Sequence, residues 1–354
     1  MRQVGTLRAS CLVIAMCLLL SACSSLGPQR LPADRLDYAD AVSSSWQRQM
    51  LLNIVKLRYG EMPMFLDVTS VINQYSIEGS AGVDLLPGGD RYGAGGSFSD
   101  RPTVTYSPLT GEEFTKSLLT PLSPVAVFSL IQSGWPVART LQICVRSING
   151  INNQSAGLVK SVADPEFVEL LETLTRLQQG GGLALRLVAI EDPGRVEQER
   201  GIYISIDDPP PELAADSERV RSILGLETIS GEFSITYGAR AMSSSDVAMQ
   251  SRSILDIMLE MAYSVNVPEE DIAEGRAGAS IYDTPEGSRV PRPLVIHSGD
   301  VPPDGTRIAV KYRDLWFWID DTDLRSKLSL AVLLTLFSLS EGSSPGSTPI
   351  MTIN

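Results

Sequence analysis

A single histidine, His297, in 354 residues leaves little room for the commonest catalytic and metal-binding chemistry. A Ser-His-Asp or Cys-His site would have to use it, and no Gly-x-Ser-x-Gly elbow offers a nucleophile. His297 ends an apolar, strand-like run, Leu294-Val295-Ile296-His297, and reads as a structural or surface residue. Cysteine is nearly as scarce. Cys11 and Cys17 fall in the first apolar stretch, which leaves Cys23 and Cys144, too few for a zinc cluster. Cys144 lies in the apolar segment 141–145 and reads as a buried, inert thiol. Basic residues number 29 against 42 acidic ones and nowhere cluster, for a net charge of −13. That balance excludes nucleic-acid binding and adhesion to anionic headgroups. After the N-terminus no apolar run reaches the length of a membrane-spanning helix. The strongest, 328–339, is broken by Ser329, Thr335 and Ser338, and predicts a buried amphipathic helix.

Other motifs of catalysis are missing or incomplete. Gly93-Ala94-Gly95-Gly96 has no following Lys-Ser/Thr, and Gly180–Gly182 follows a helix pattern rather than preceding one, so neither reads as a phosphate loop. Asp207-Asp208 precede three prolines. Neighbours on a strand point to opposite faces, so these two do not form a glycosidase pair. Asp320-Asp321-Thr322-Asp323 lacks the glycine and spaced ligands of a calcium loop, and reads as the N-terminal cap of the helix after it. No cofactor motif is found, and the chain reads as a non-enzyme.

What is present begins at the N-terminus. Arg2 and Arg8 precede an apolar run at 11–20 that is too short to span a bilayer. Leu20-Ser21-Ala22-Cys23 follows, and then Ser24, Ser25, Gly27 and Pro28. This arrangement resembles the signal and lipobox of bacterial lipoproteins. The resemblance implies cleavage between Ala22 and Cys23, diacylglycerol on the Cys23 thiol, and a further acyl chain, such as palmitate, on the new amino group. Two or more chains, at about 0.8 kcal/mol per buried methylene, anchor stably where one is marginal. Ser24 rather than Asp after the cysteine favours the outer membrane, by analogy with enterobacterial sorting, with the mature protein facing the periplasm. Loss of residues 1–22 removes two arginines and no acids, so the charge falls from −13 to −15. If Cys23 carries lipid, Cys144 has no disulfide partner.

The mature chain reads as α+β, with antiparallel sheet segments packed on amphipathic helices. Residues 23–35 form a tether, 36–150 a helix and hairpin region, and 151–354 an α+β region, with 36–354 as one continuous domain the alternative. A helix over 37–59 places Trp46, Met50, Ile54 and Leu57 on one face and closes at Gly60 and Pro63. Helices are predicted at 111–119, 123–133, 165–179, 212–224, 245–262 and 322–340. Strands are predicted at 183–190, 201–206, 232–237, 307–312, 315–319 and 349–353. Segment 139–148 reads equally as either. Trp316 and Trp318 share one side of a strand; they read as core material, with a carbohydrate platform as the alternative.

The segment 71–106 has the most distinctive pattern. Odd positions from Val71 through Tyr75, Ile77, Ala81 and Val83 to Leu85 are apolar, and even positions are mostly Ser, Gln, Glu and Gly. After a turn at Pro87-Gly88-Gly89-Asp90 the parity switches to Tyr92, Ala94, Phe98, Val104 and Tyr106. This period of two predicts a long, glycine-rich β-hairpin. Its arms reach the roughly 9–11 residues that cross a bilayer. Tyr75, Ile77, Val83, Tyr92, Phe98 and Tyr106 are then candidates for a membrane-facing side, as in a barrel shared among protomers. A soluble sheet with one side on helices gives the same alternation. The leading expectation is a binding or scaffolding component of the cell envelope, with an envelope protein or further copies of itself as partner. An oligomeric pore subunit is the alternative.

Overall fold

The computed structural model describes residues 31–73, 75–84, 91–157, 159–190, 199–205, 209–227, 232–341 and 350–353. Ala22, Cys23, the turn at 87–90 and Asp207-Asp208 lie outside these residues. The chain divides into two compact units, Met1–Gln47 and Arg48–Asn354. Helix α1, Leu31–Arg58, begins in the first unit, where Ser44 donates a hydrogen bond to the Ala41 carbonyl.

In the second unit α1 buries Met50, Leu51, Ile54 and Val55, a wider face than the sequence spacing implies. The helix ends in a Schellman turn. Gly60 N–H donates to Leu57 O and Glu61 N–H to Lys56 O, with Gly60 at φ +76°, a conformation that favours glycine. Four strands follow: β1 Phe65–Asn73, β2 Tyr75–Asp84, β3 Arg91–Asp100 and β4 Thr103–Leu109. Helices α2 Glu112–Leu119, α3 Pro124–Gln132 and α4 Val137–Cys144 come next. Segment 139–148 divides at Cys144, where α4 runs straight into β5, Val145–Ile148.

The chain continues through β6 Ile151–Asn152, α5 Pro165–Gln179, β7 Ala184–Ile190, β8 Glu199–Ser205 and α6 Ala214–Leu224. Then come β9 Glu232–Tyr237, β10 Asp246–Ser251, α7 Ile254–Ala262 and α8 Glu269–Ala273. The last elements are β11 His297–Gly299, β12 Ala309–Tyr312, β13 Leu315–Trp318, α9 Leu324–Glu341 and β14 Ile350–Ile353. A mostly antiparallel sheet runs in the order β6-β5-β10-β9-β8-β7, with β9 and β10 its parallel pair. The class is α+β, as the element order predicts. This sheet spans residue 150, joining β5 to β10.

Two local expectations are corrected. The helix predicted over 245–262 is a strand followed by a helix: Asp246–Ser251 is β10, and Ser253, not Ser244 or Ser245, caps α7 by accepting from Asp256 N–H. Val247, Ala248 and Met249 are all buried, because β10 lies inside the sheet, and so they do not alternate. Asp164 precedes α5 as predicted but makes no capping bond; its carboxylate instead accepts from the backbone and side-chain N–H groups of Asn152. At the other acidic cluster, Asp323 accepts from Ser326 N–H in the first turn of α9, the capping role the sequence predicts.

Leu141, Leu170, Leu174, Ile204, Val220 and Met249 line a small apolar cavity between helices and sheet. The second unit also holds a buried polar group. Arg252, 3% exposed, donates to the carbonyls of Gln142, Ile143 and Gln154. Glu260, 4% exposed, accepts from Ala156 N–H and from the Tyr282 hydroxyl, and lies 3.7 Å from Arg252. Each charge is held by several hydrogen bonds, which offsets the cost of burying it.

Cys144 is a free, fully buried thiol, and burial pushes its pKa up to about 12 against the pull of the nearby Arg252 charge. Protein lacking residues 1–23 therefore has one thiol. A thiol reagent at pH 8 is expected to label it at least about a hundredfold more slowly in the native state than in denaturant. Equal rates would show that Cys144 is accessible.

Candidate functional site

The four strands after α1 form one long ribbon. β1 pairs with β4 from Phe65 opposite Leu109 to Ile72 opposite Thr103. β2 pairs with β3 from Tyr75 opposite Asp100 to Asp84 opposite Arg91. The register is continuous between the two ladders. A bulge between Val68 and Ser70 is the one irregularity, and beyond it each pair follows in step. The hairpin is thus longer than the predicted 71–106, beginning at Phe65 and returning to Leu109.

Within the ribbon the apolar positions fall opposite one another. Val71 lies opposite Val104, Ile77 opposite Phe98, Ala81 opposite Ala94, and Val83 opposite Tyr92. Tyr75 faces Asp100 in register, and Tyr106 faces Val68. The side chains of Tyr75, Ile77, Val83, Tyr92 and Phe98 lie outside the described residues. β2 and β3 are ten residues each, about 34 Å at the extended rise, against a hydrocarbon core of about 30 Å. Among the described strands they pair only with each other, whereas β1 is flanked by β4 and, in parallel, by the C-terminal strand β14.

The root of the ribbon is held from two sides. Phe65, fully buried, packs on Phe337 of α9 at 4.6 Å between ring centroids and on Phe114 of α2 at 6.0 Å. From α1, two side-chain amides act as a surrogate strand. Asn53 accepts from Met64 N–H at 3.0 Å and donates to Met64 O at 2.7 Å. Gln49 accepts from Leu66 N–H at 2.6 Å and donates to Leu66 O at 3.0 Å. The match is geometric: a spacing of four in a helix is about 6 Å and a spacing of two in a strand about 7 Å. The helix therefore satisfies the edge of β1 where no strand does.

On the side away from Phe65 the ribbon's root is apolar and open. Leu66 is 42% exposed, Val104 37% and Tyr106 58%, and Met62 and Met64 just before the strand are 79% and 59% exposed. Val71 is the exception, at 9%. A soluble sheet packed on helices would cover this side. Here Phe65 on one side and Val71 on the other are the positions of β1 that are buried.

Below the root, Tyr59 donates to Asp271 at 2.6 Å, and Arg276 donates to the other carboxylate oxygen at 2.6 Å. Burial acts to raise the Asp271 pKa, but the bonds from Tyr59 and Arg276 outweigh it and hold the carboxyl below its usual range. Tyr59 is pushed well up by burial and by its bond to Asp271. Arg313, at φ +52° in the β12–β13 turn, covers the Tyr59 ring at 4.5 Å, and Tyr312 donates to Glu61. These contacts fix the segment from which the ribbon departs.

The remaining sequence candidates stay apart. His297 sits half-buried against Trp318, and Trp316 and Trp318 are likewise half-buried, with Phe317 between them fully buried. Among the described residues no group of three or more His, Cys, Asp or Glu could hold a metal ion, and no helix is long and apolar enough to cross a membrane. Sequence reasoning found the ribbon but missed Gln49, Asn53 and Phe65. No known protein family matches the chain, nor does any curated protein or solved structure.

Proposed function

We propose that this chain is a lipid-anchored, non-enzymatic protein of the outer membrane, facing the periplasm, whose ribbon enters the bilayer as one subunit's share of an oligomeric pore. The observation that carries this reading is the isolation of the ribbon's outer half: among the described strands β2 and β3, of bilayer-spanning length, pair only with each other, and the apolar root below them opens outward. A lone two-stranded hairpin is marginal in water. In lipid, each unpaired backbone group costs several kcal/mol, so the outer edges of β2 and β3 need neighbours. Further copies of the same ribbon supply them and close a barrel with no free edge. The lipid on Cys23 holds each copy at the surface and raises its local concentration for assembly. A second reading, a periplasmic scaffold whose ribbon adds strands to an envelope partner, is favoured by the same open edges.

The test replaces residues 1–23 with an ordinary cleavable export signal, so that no lipid is attached. Cell envelopes are then extracted with and without detergent and the protein is sized. The pore reading expects retention until detergent is added and release as a large, uniform assembly. Release without detergent as a monomer would remove that reading and favour the scaffold.

A further inference from the structure

We infer that the outward side of the β11–β13–β12 sheet is a saccharide-binding platform built on Trp316 and Trp318. The inference is independent of the ribbon and of the membrane.

The sheet order is β11-β13-β12, and its register sets His297 and Ala309 on either side of Trp318, and Gly299 and Lys311 on either side of Trp316. Alternation along β13 turns Phe317 inward, where it is fully buried against Tyr59 and Tyr312. It turns the two tryptophans outward, about 7 Å apart along the strand. Both are half-buried, neither closed off from solvent.

The Trp318 indole lies along the sheet rather than standing off it. A Cβ placed on Gly299 would meet its Cη2 at 3.3 Å and Cζ3 at 3.5 Å, so the benzo edge rests directly over that glycine. The His297 ring is stacked on the same indole at 5.8 Å and 27°. Glycine is what lets the indole lie down here; a larger residue would lift it.

The result is an aromatic surface at Trp318 and His297, with Trp316 on the same side of β13 and polar groups beside it. Lys311 is exposed beside Trp316. Asp320 is half-buried just past β13 and accepts from Thr322 N–H and the Thr322 hydroxyl. A pyranose ring has the complementary form: one apolar C–H face to lie on an indole and hydroxyls around its edge to meet donors and acceptors. Aromatic walls with a few placed polar groups are the usual makeup of small-molecule sites. Two indoles in line suit consecutive sugar units of a chain. The surface is shallow, so dissociation constants on the order of 0.1–1 mM are expected.

The experiment titrates protein lacking residues 1–23 with two probes, a β-1,4-linked N-acetylglucosamine tetramer and a glucose tetramer, following tryptophan fluorescence and calorimetric heat. The expected result is saturable binding of at least one probe, which identifies the sugar class. Trp318→Ala and Trp316→Ala each weaken it about tenfold or more. Gly299→Val, which lifts the indole without removing it, weakens it as well, and melting curves establish that each variant is folded. Failure of both probes to bind overturns the platform. So does unchanged affinity in all three folded variants, or adhesion of these tryptophans to lipid vesicles in place of either sugar.

Discussion

Excising residues 75–100, with Gln74 joined to Arg101, is expected to leave a protein that folds like the parent and no longer stays with the membrane once its lipid is removed. The cut falls where the backbone allows it. Ile72 keeps its partner Thr103, and the join is a connection of about four residues, common among hairpins. No described strand outside the excised pair loses a partner, since β2 and β3 form a sheet of their own, and the anchoring Phe65 remains on Phe337 and Phe114. The melting temperature should stay within a few degrees of the parent, as a change below about 1 kcal/mol implies. In the unlipidated background the excised protein should be monomeric by light scattering, while the intact one is retained and large. If both proteins partition and size alike, the ribbon is not the membrane element. A large loss of stability on excision would show that it belongs to the soluble core.

The ribbon was legible in the sequence because its side-chain period is two over many residues, and its root was not. Before the bulge the apolar positions are even, Leu66 and Val68; after it they are odd, Val71, Tyr75 and Ile77. A single extra residue thus breaks the alternation and hides the root of the hairpin. β10 was hidden for a different reason. Val247-Ala248-Met249 is buried as a continuous run, and such a run has no period to separate strand from helix. Trp316 and Trp318 look like core by composition, and only the register, with Phe317 inward, turns them out. The resemblance at Cys23 rests on linear sequence alone and needs no fold to be read. Gln49 and Asn53 gave no signal at all: polar residues interleaved with apolar ones on a helix look like a wet face until a strand is found beside them.

That hidden pair yields the second large effect. Asn53 is 1% exposed and uses both ends of its amide on Met64. Asn53→Ala leaves the Met64 N–H and carbonyl without partners in a closed site, a loss of about 1–3 kcal/mol. Asn53→Asp is expected to cost more, although it is nearly the same shape. The donor to Met64 O becomes a second acceptor facing it, and a charge is placed on a side chain that is itself buried. Gln49→Ala should cost about 0.5–1.5 kcal/mol, because water can take over its bonds to Leu66 at the surface. Urea unfolding gives the order Asn53→Asp, Asn53→Ala, Gln49→Ala from least to most stable. Hydrogen exchange at Met64 and Leu66 should be faster than in the parent and fastest in the least stable variant, since the amides release the strand edge first. The double variant should depart from additivity, as the two clamps share one strand. If Asn53→Asp is as stable as Asn53→Ala, the amide donor is not what holds the ribbon's root. If exchange at Met64 does not rise, the damage lies in the helix rather than in the clamp.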